Sequence, residues 1–197
     1  AWFRVRFLGG TSGTGGTVIA ERQTSSNGTF ILTGLKAGTY VIEEISAPDG
    51  YVLSENDIQT VYLSGNEQDV ITVTFGNEAK GSVLIKKIDA ITREPLSDVE
   101  FMVTESNGTV VGNRNGKYVT DSVGTILIDG LDPNTTLVIK EVRAKSGYVL
   151  DDTSQTVKVR SHEVVTVEFR NQPLGGLRIV KLDSVTRKPL AGVEFRV

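Results

Sequence analysis

Three polar residues stand where the alternation of this sequence calls for apolar ones. Val83, Ile85 and Lys87 occupy alternate positions, as do Leu137, Ile139 and Glu141, and again Val165, Val167, Phe169 and Asn171. In an extended chain such positions share one face, so an amine, a carboxyl and a carboxamide are each in register with core residues. Burying an unpaired ammonium or carboxylate is expensive, so either the alternation breaks at these points or the three groups meet one another. If they meet, the chemistry is specific. A lysine desolvated by apolar neighbours has a lowered pKa and becomes a neutral nucleophile. A carboxyl buried beside it stays protonated, polarises the carboxamide and relays protons. Attack on the carboxamide carbon with loss of ammonia leaves a lysine–asparagine amide, an isopeptide bond. The alternation also admits a plainer arrangement, in which Lys87 ends its strand in water with its stem along apolar surface. Glu141 is then a rim carboxylate and Asn171 a turn residue.

The elements that must position these groups are parts of a repeat. Residues 83–96, VLIKKIDAITREPL, return as residues 177–190, LRIVKLDSVTRKPL, with Asp89 and Asp183 standing 94 positions apart. A fixed period of that length is the size of a small domain and too long for a short solenoid repeat. Residues 2–5, WFRV, align with residues 100–103, EFMV, and with residues 194–197, EFRV. The chain therefore reads as most of one unit (1–79), one whole unit (80–175) and the opening strands of a third (176–197). Within this sequence the first unit has no lysine-bearing opening strand. Strands are predicted at 3–7, 17–22, 29–33, 39–45, 60–63 and 70–75 in the first unit. In the second they fall at 83–88, 99–105, 117–120, 125–128, 137–142, 155–159 and 164–170. Turn signals such as Ser26-Asn27-Gly28 and Pro48-Asp49-Gly50 separate them. About seven short strands per unit, with such punctuation between them, suggest a two-sheet antiparallel sandwich, although the period alone also admits a small barrel. Lys86 competes with Lys87 for the inward place, but parity sets it with Leu84 and Ile88 on the other face.

Composition removes several functions. The 197 residues contain no cysteine, one histidine and a formal charge of -3. Disulfides and thiolate metal sites are excluded, a zinc enzyme is disfavoured, and neither a metal nor a cofactor is expected. Acidic and basic residues are interspersed at near balance, which argues against a nucleic-acid surface. No apolar run is long enough for a membrane span in this segment. The glycine-rich stretch 9–16, GGTSGTGG, lacks the Gly-Lys-Ser/Thr ending of a phosphate loop and reads as a hairpin tip. Adjacent acidic pairs such as Asp151 with Asp152, or Glu43 with Glu44, point to opposite faces of an extended chain and make poor acid–base pairs for glycan chemistry.

Three motifs, in five segments, carry a family resemblance. GSVLIKKIDAITREPLSDVEF (81–101) and GGLRIVKLDSVTRKPLAGVEF (175–195) resemble the opening of the CnaB-type domains of Gram-positive surface adhesins and pilins, also called SpaA-like or prealbumin-like. TYVIEEISAPDGYVL (39–53) resembles that family's glutamate-bearing segment, and VTFGN (73–77) and VEFRNQP (167–173) resemble its closing strand. The resemblance covers effectively the whole chain and implies tandem Ig-like β-sandwiches, all-β in class. In its cross-linked members a first-strand lysine joins a last-strand asparagine, assisted by a buried glutamate. Carried over by residue, it implies Lys87, Glu141 and Asn171 in the second unit. In the first unit it implies an incomplete set, Glu44 and Asn77, with Glu44 preferred to Glu43 because it shares the Tyr40 and Ile42 face. The third unit offers an unpaired lysine, Lys181. Departures lie in the loops: Ala144-Lys145-Ser146-Gly147 stands where the first unit has Ala47-Pro48-Asp49-Gly50, and Asn134-Thr135-Thr136 replaces the usual glycine-threonine-tyrosine.

The expected function is a structural stalk or pilin-like repeat segment, secreted to the cell wall or surface of a Gram-positive bacterium and stiffened by self-made bonds. Each catalytic set reacts once, so the protein is not expected to be an enzyme. The alternative is an adhesin module whose exposed loops, such as 9–16 or 112–116 with Trp2 and Tyr118 contributing, bind a host matrix protein or glycan. Expected partners are neighbouring repeats of the same protein. The chain reads first as a slice of a longer repeat protein cut within a domain; the alternative is head-to-tail association with another copy, in which the Lys181 strand complements the first unit.

Overall fold

A computed structural model describes residues 1–9, 16–65, 70–112 and 115–196. The first part of the chain forms strands β1 (Trp2–Gly9), β2 (Thr17–Gln23), β3 (Gly38–Ser46), β4 (Tyr51–Val52), β5 (Ile58–Leu63) and β6 (Glu78–Ala79). β1 lies between β2 and β3, and β5 flanks β3 on its far side, giving a four-stranded antiparallel sheet. The short pair β4 and β6 stands apart from it.

The second part forms β7 (Gly81–Asp89), β8 (Glu100–Glu105), β9 (Lys117–Val119), β10 (Thr125–Leu131), β11 (Thr136–Arg143), β12 (Gln155–Lys158) and β13 (Val164–Asn171). They make two sheets, β10-β7-β13 and β12-β11-β8-β9. The period-two alternation explains the layering. Val83 and Ile85 of β7, Phe101 and Val103 of β8, and Leu137 and Ile139 of β11 are fully buried between the sheets. Each such side chain contributes roughly 1.5–3 kcal/mol by leaving water. The pairings of the second part are antiparallel except one: β13 runs parallel to β7, with Phe169 opposite Lys87 and Asn171 opposite Asp89. The first strand and the last are thus neighbours pointing the same way.

Three expected strand regions differ from the prediction, for one physical reason. Residues 29–33 and 70–75 form no strand, and residues 176–181 of the tail are exposed and followed by an isolated bridge between Leu182 and Pro189. By alignment, residues 29–35 correspond to β10 and residues 70–77 to β13, and in the second part both of those pair with β7. A β segment holds its shape through its partner's hydrogen bonds, and apolar alternation alone does not supply them. Of the glycine-rich stretch at 9–16, residues 10–15 lie outside the described residues.

The connection between the two parts is braced from both sides. Ala79 pairs with Tyr51, and the Lys80 N–H donates to the Gly50 carbonyl at 2.8 Å. The Ala79 carbonyl accepts from Ser161 Oγ at 3.0 Å, and Lys80 Nζ lies 3.2 Å from Asp132. Gly81 follows where backbone passes so close to Arg160 that a Cβ would sit 2.2 Å from its carbonyl oxygen.

Candidate functional site

The central site grows out of the ends of three strands. β7 delivers Lys87 two positions after Ile85, and its alternation is unbroken: Val83, Ile85, Lys87 and Asp89 are all buried, while Lys86 is exposed. β11 delivers Glu141 from the opposite sheet, at the residue paired with Phe101 and just before a register shift. β13 ends on Asn171, whose carbonyl is fixed by the Ala90 N–H at 2.9 Å. Lys87 and Glu141 are 0% exposed and Asn171 is 1% exposed.

The three groups form a closed triangle. Lys87 Nζ donates to Glu141 Oε2 at 2.7 Å and also donates to Asn171 Oδ1. Asn171 Nδ2 donates to Glu141 Oε1 at 2.6 Å. Each carboxylate oxygen therefore has one partner, and the amine sits against the carbonyl end of the carboxamide. Phe101 and Phe169 wall the amine, each ring centroid 6.0 Å from Nζ, and pack on each other with centroids 4.9 Å apart. Burial lowers the pKa of Lys87, and the hydrogen bond and charge of Glu141 oppose that shift without cancelling it. The arrangement is that of a nucleophile, an electrophilic carbonyl and a proton carrier held dry in one place.

Asp89 follows Lys87 by two positions on the same buried face of β7. Its Oδ1 accepts the N–H groups of Ile91 at 2.6 Å and Thr92 at 2.9 Å, and Tyr148 donates its hydroxyl to Oδ2 at 2.9 Å. The amides of Thr92 and Ile91 hold the Asp89 carboxyl below its ordinary pKa, and the Tyr148 hydroxyl is raised by the same pairing. Gly124, at φ +70, accepts the Lys87 N–H at 2.8 Å, and a Cβ there would lie 2.6 Å from the Lys87 carbonyl oxygen. Sequence reasoning passed over Asp89, Tyr148 and the aromatic walls. The signal for Asp89 was its parity with Lys87, and that for Phe101 its alignment with Phe3.

In the first part of the chain Glu44 is fully buried and Asn77 half-buried, and Asn77 Nδ2 donates to Glu44 Oε2 at 3.0 Å. Glu43 faces the other way, paired with Arg6. Lys181 is exposed and stands apart from both sites. Among the described residues no group of His, Cys, Asp and Glu side chains is arranged to hold a metal ion. Of the loops expected to bind a ligand, residues 10–15 and 113–114 lie outside the described residues. Trp2 is half exposed, and Tyr118 donates to the Val111 carbonyl at 3.1 Å.

A two-sheet sandwich whose first and last strands run side by side, with lysine, glutamate and asparagine buried between the sheets, defines an Ig-like domain of the prealbumin type. The family model for the SpaA prealbumin-like fold domain matches residues 4–79 and again residues 81–173, and the chain belongs to that family. No curated protein sequence matches it. Among solved structures, a double mutant of the shaft pilin SpaA from Lactobacillus rhamnosus GG aligns with a TM-score of 0.50 and 17% identity, over 90% of this chain and 86% of that one. The minor pilin GBS52 of Streptococcus agalactiae aligns at 0.45 and 20%, over 91% and 85% of the two chains. The Bacillus anthracis TIE protein aligns at 0.47 and 23%, and although 88% of this chain is covered, it spans only 30% of the TIE protein. At these identities the likeness is one of fold.

Proposed function

We propose that this chain is a load-bearing stalk segment of a Gram-positive surface protein, secreted to the cell wall and built from repeats of one sandwich. Its units are 1–79, 80–175 and the opening of a third at 176–197, and the second is sealed by an isopeptide bond between Lys87 and Asn171. The buried triangle of Lys87, Glu141 and Asn171 carries this reading.

The reaction needs only groups already in contact. Lys87 Nζ passes a proton across its 2.7 Å hydrogen bond to Glu141 Oε2, leaving a neutral amine and a neutral acid. The amine attacks Cγ of Asn171, and Glu141 shares its proton with the amide as the tetrahedral centre forms. The Nζ–Cγ bond forms, the Cγ–Nδ2 bond breaks, and the nitrogen leaves as ammonia after receiving a proton through the carboxyl it touches at 2.6 Å. The departing ammonia then takes up the proton that Lys87 gave to Glu141 and leaves as ammonium, which restores the carboxylate, but the lysine and asparagine are consumed, so the unit reacts once.

The bond spans 84 positions of sequence. In chain-entropy terms a covalent loop of that size stabilises the fold by about 4–5 kcal/mol. Neighbouring repeats are the partners that such a stalk requires. A lysine-bearing strand such as that around Lys181 completes a first unit from outside it. Intact mass under denaturing conditions tests the central claim. One ammonia, about 17 Da, is expected to be missing from the sequence mass. An unshifted mass refutes the bond.

A further inference from the structure

Shortly after Glu141 the chain turns at Lys145–Tyr148 and meets the ends of the strands that carry the other two reacting groups. The turn closes with the Tyr148 N–H on the Lys145 carbonyl at 3.1 Å and places Gly147 at φ +86, a conformation that suits glycine. By its backbone this strap is bonded to the exit of β13. The Val149 N–H donates to the Gln172 carbonyl at 2.9 Å, the Leu174 N–H donates to the Gly147 carbonyl at 2.7 Å, and Tyr148 bridges to Pro173. By its side chains the strap is bonded to the lysine strand and the loop that follows it. The Tyr148 hydroxyl donates to Asp89 Oδ2 at 2.9 Å, and Lys145 Nζ donates to Ser97 Oγ at 3.0 Å. Asp89 is buried two positions after Lys87 and stands opposite Asn171 in the parallel register. The Leu96 N–H, one residue before Ser97, donates to the Lys87 carbonyl at 2.9 Å.

The first unit separates the two kinds of tie. Its strap, residues 48–52, repeats the backbone bonds: Tyr51 pairs with Ala79, Val52 pairs with Glu78, and the Lys80 N–H donates to the Gly50 carbonyl. The Val52 carbonyl also accepts from Asn77 Nδ2 at 3.2 Å, beside the contact of that nitrogen with Glu44. Gln59 Nε2 donates to the Thr74 carbonyl at 2.7 Å, as Gln155 Nε2 does to the Glu168 carbonyl at 3.0 Å. These contacts keep the asparagine on its glutamate although residues 70–75 form no strand. The seat of the electrophile is thus built from the strap's backbone and a glutamine. In the second unit that seat is joined to the lysine strand by the β7–β13 ladder and by the two side-chain ties. The ladder ends at Asp89 and Asn171, and strand ends fray. Tyr148 and Lys145 tie down that end. At their positions the first unit has Tyr51, 44% exposed, and Pro48, which has no side-chain donor.

We propose that Tyr148 is a positioning residue for the reaction of the second unit: through Asp89 its hydroxyl holds the end of β7, so that the Lys87 amine stays against a carboxamide already seated on Glu141. The inference rests on the bond proposed above. Tyr148 acts through Asp89 and adds no group to the chemistry. Its ring packs against the core, so Tyr148→Phe keeps that packing and the strap's backbone bonds and removes one hydrogen bond. What the variant loses is the hold on the strand end. A nucleophile displaced by about 1 Å can cost on the order of a hundredfold in rate, so a looser strand end slows attack although every reacting group is still present.

The test follows ammonia loss in time. The full chain is made by cell-free translation with a short pulse of isotope-labelled amino acids, and samples are quenched in denaturant for intact mass. The wild type is expected to lose about 17 Da in a first-order phase, and Tyr148→Phe to reach the same mass about tenfold more slowly. Tyr118→Phe is the matched control: it removes a tyrosine hydroxyl bond of the same unit, to the Val111 carbonyl, and is expected to keep the wild-type rate. A wild-type rate in Tyr148→Phe overturns the proposal and leaves the bond standing. Equal slowing in Tyr118→Phe also overturns it, because the effect is then one of general stability. A wild type that keeps its full mass refutes the bond and the positioning role with it. Amide exchange in Asn171→Ala, which cannot react, separates the clasp from the fold. Adding Tyr148→Phe there is expected to speed exchange at the Lys87 and Asp89 amides while the Val149 amide, bonded to Gln172, stays protected. Loss of protection at Val149 as well shows that the strap itself has come away, and overturns the division between seat and clasp.

Discussion

The parallel pairing of β7 and β13 makes a mechanical prediction with a magnitude. Force applied to the two ends of the second unit enters β7 at Gly81 and leaves β13 after Asn171, from opposite ends of two strands that run the same way. With Lys87 bonded to Asn171, tension crosses from one strand to the other through that bond, and the residues between them carry none. Those 84 positions, at about 3.5 Å each, represent about 290 Å of chain that cannot be drawn out. Asn171→Ala removes the electrophile but leaves Lys87 paired with Glu141, and should restore an unfolding step of about 290 Å in single-molecule pulling. The same variant should lose the loop-closure stabilisation of about 4–5 kcal/mol. For a domain of this size that change lowers the melting midpoint by about 20 °C, an order-of-magnitude figure. A wild-type chain that releases the same step as Asn171→Ala refutes the reasoning.

Three further outcomes are expected. In Asn171→Ala the buried Lys87 remains a free amine with a lowered pKa, so between its folded value and 10.5 the unfolded state binds more protons. Stability in that variant should rise with pH through this window, measured by denaturant midpoints, and Lys87→Met should remove the slope. Gly124→Ala places a methyl 2.6 Å from the Lys87 carbonyl at positive φ and should destabilise the second unit by more than 1 kcal/mol, the order expected for such strain, read by calorimetry. Asp89 has a depressed pKa, so its contribution is complete above the unfolded value and lost as pH falls through the folded one. Tyr148→Phe, which removes one of its donors, should move that acid loss to higher pH in a melting series.

The alternation of single strands put Lys87, Glu141 and Asn171 in register with core residues, and the family resemblance assigned them to one site. Lys87 rather than Lys86, and Glu44 rather than Glu43, follow from parity, because side-chain direction in a strand is fixed by counting. What counting cannot give is the partner. Residues 29–33 and 70–75 alternate as well as β10 and β13 do, yet form no strand, since a strand depends on the neighbour it bonds. The sense of the β7–β13 pair was hidden for the same reason. The aromatic walls around Lys87 were hidden because Phe101 and Phe169 come from opposite sheets, and their meeting depends on tertiary packing. The bracing of Lys80 escaped notice because its partners, Gly50 and Asp132, lie in turns whose geometry no periodicity records.

The proposed bond between the first strand of a unit and its last also sets an order in time. Lys87 emerges early from a ribosome or an export pore, but its electrophile follows 84 positions later. Until Asn171 has emerged and β13 has docked beside β7, the amine has nothing to react with, and the chain remains linear and free to thread through a narrow channel. Closure then waits for the sheets to exclude water from all three groups. A unit that stalls or misfolds keeps its ammonia, so the covalent state of each copy records whether its folding was completed.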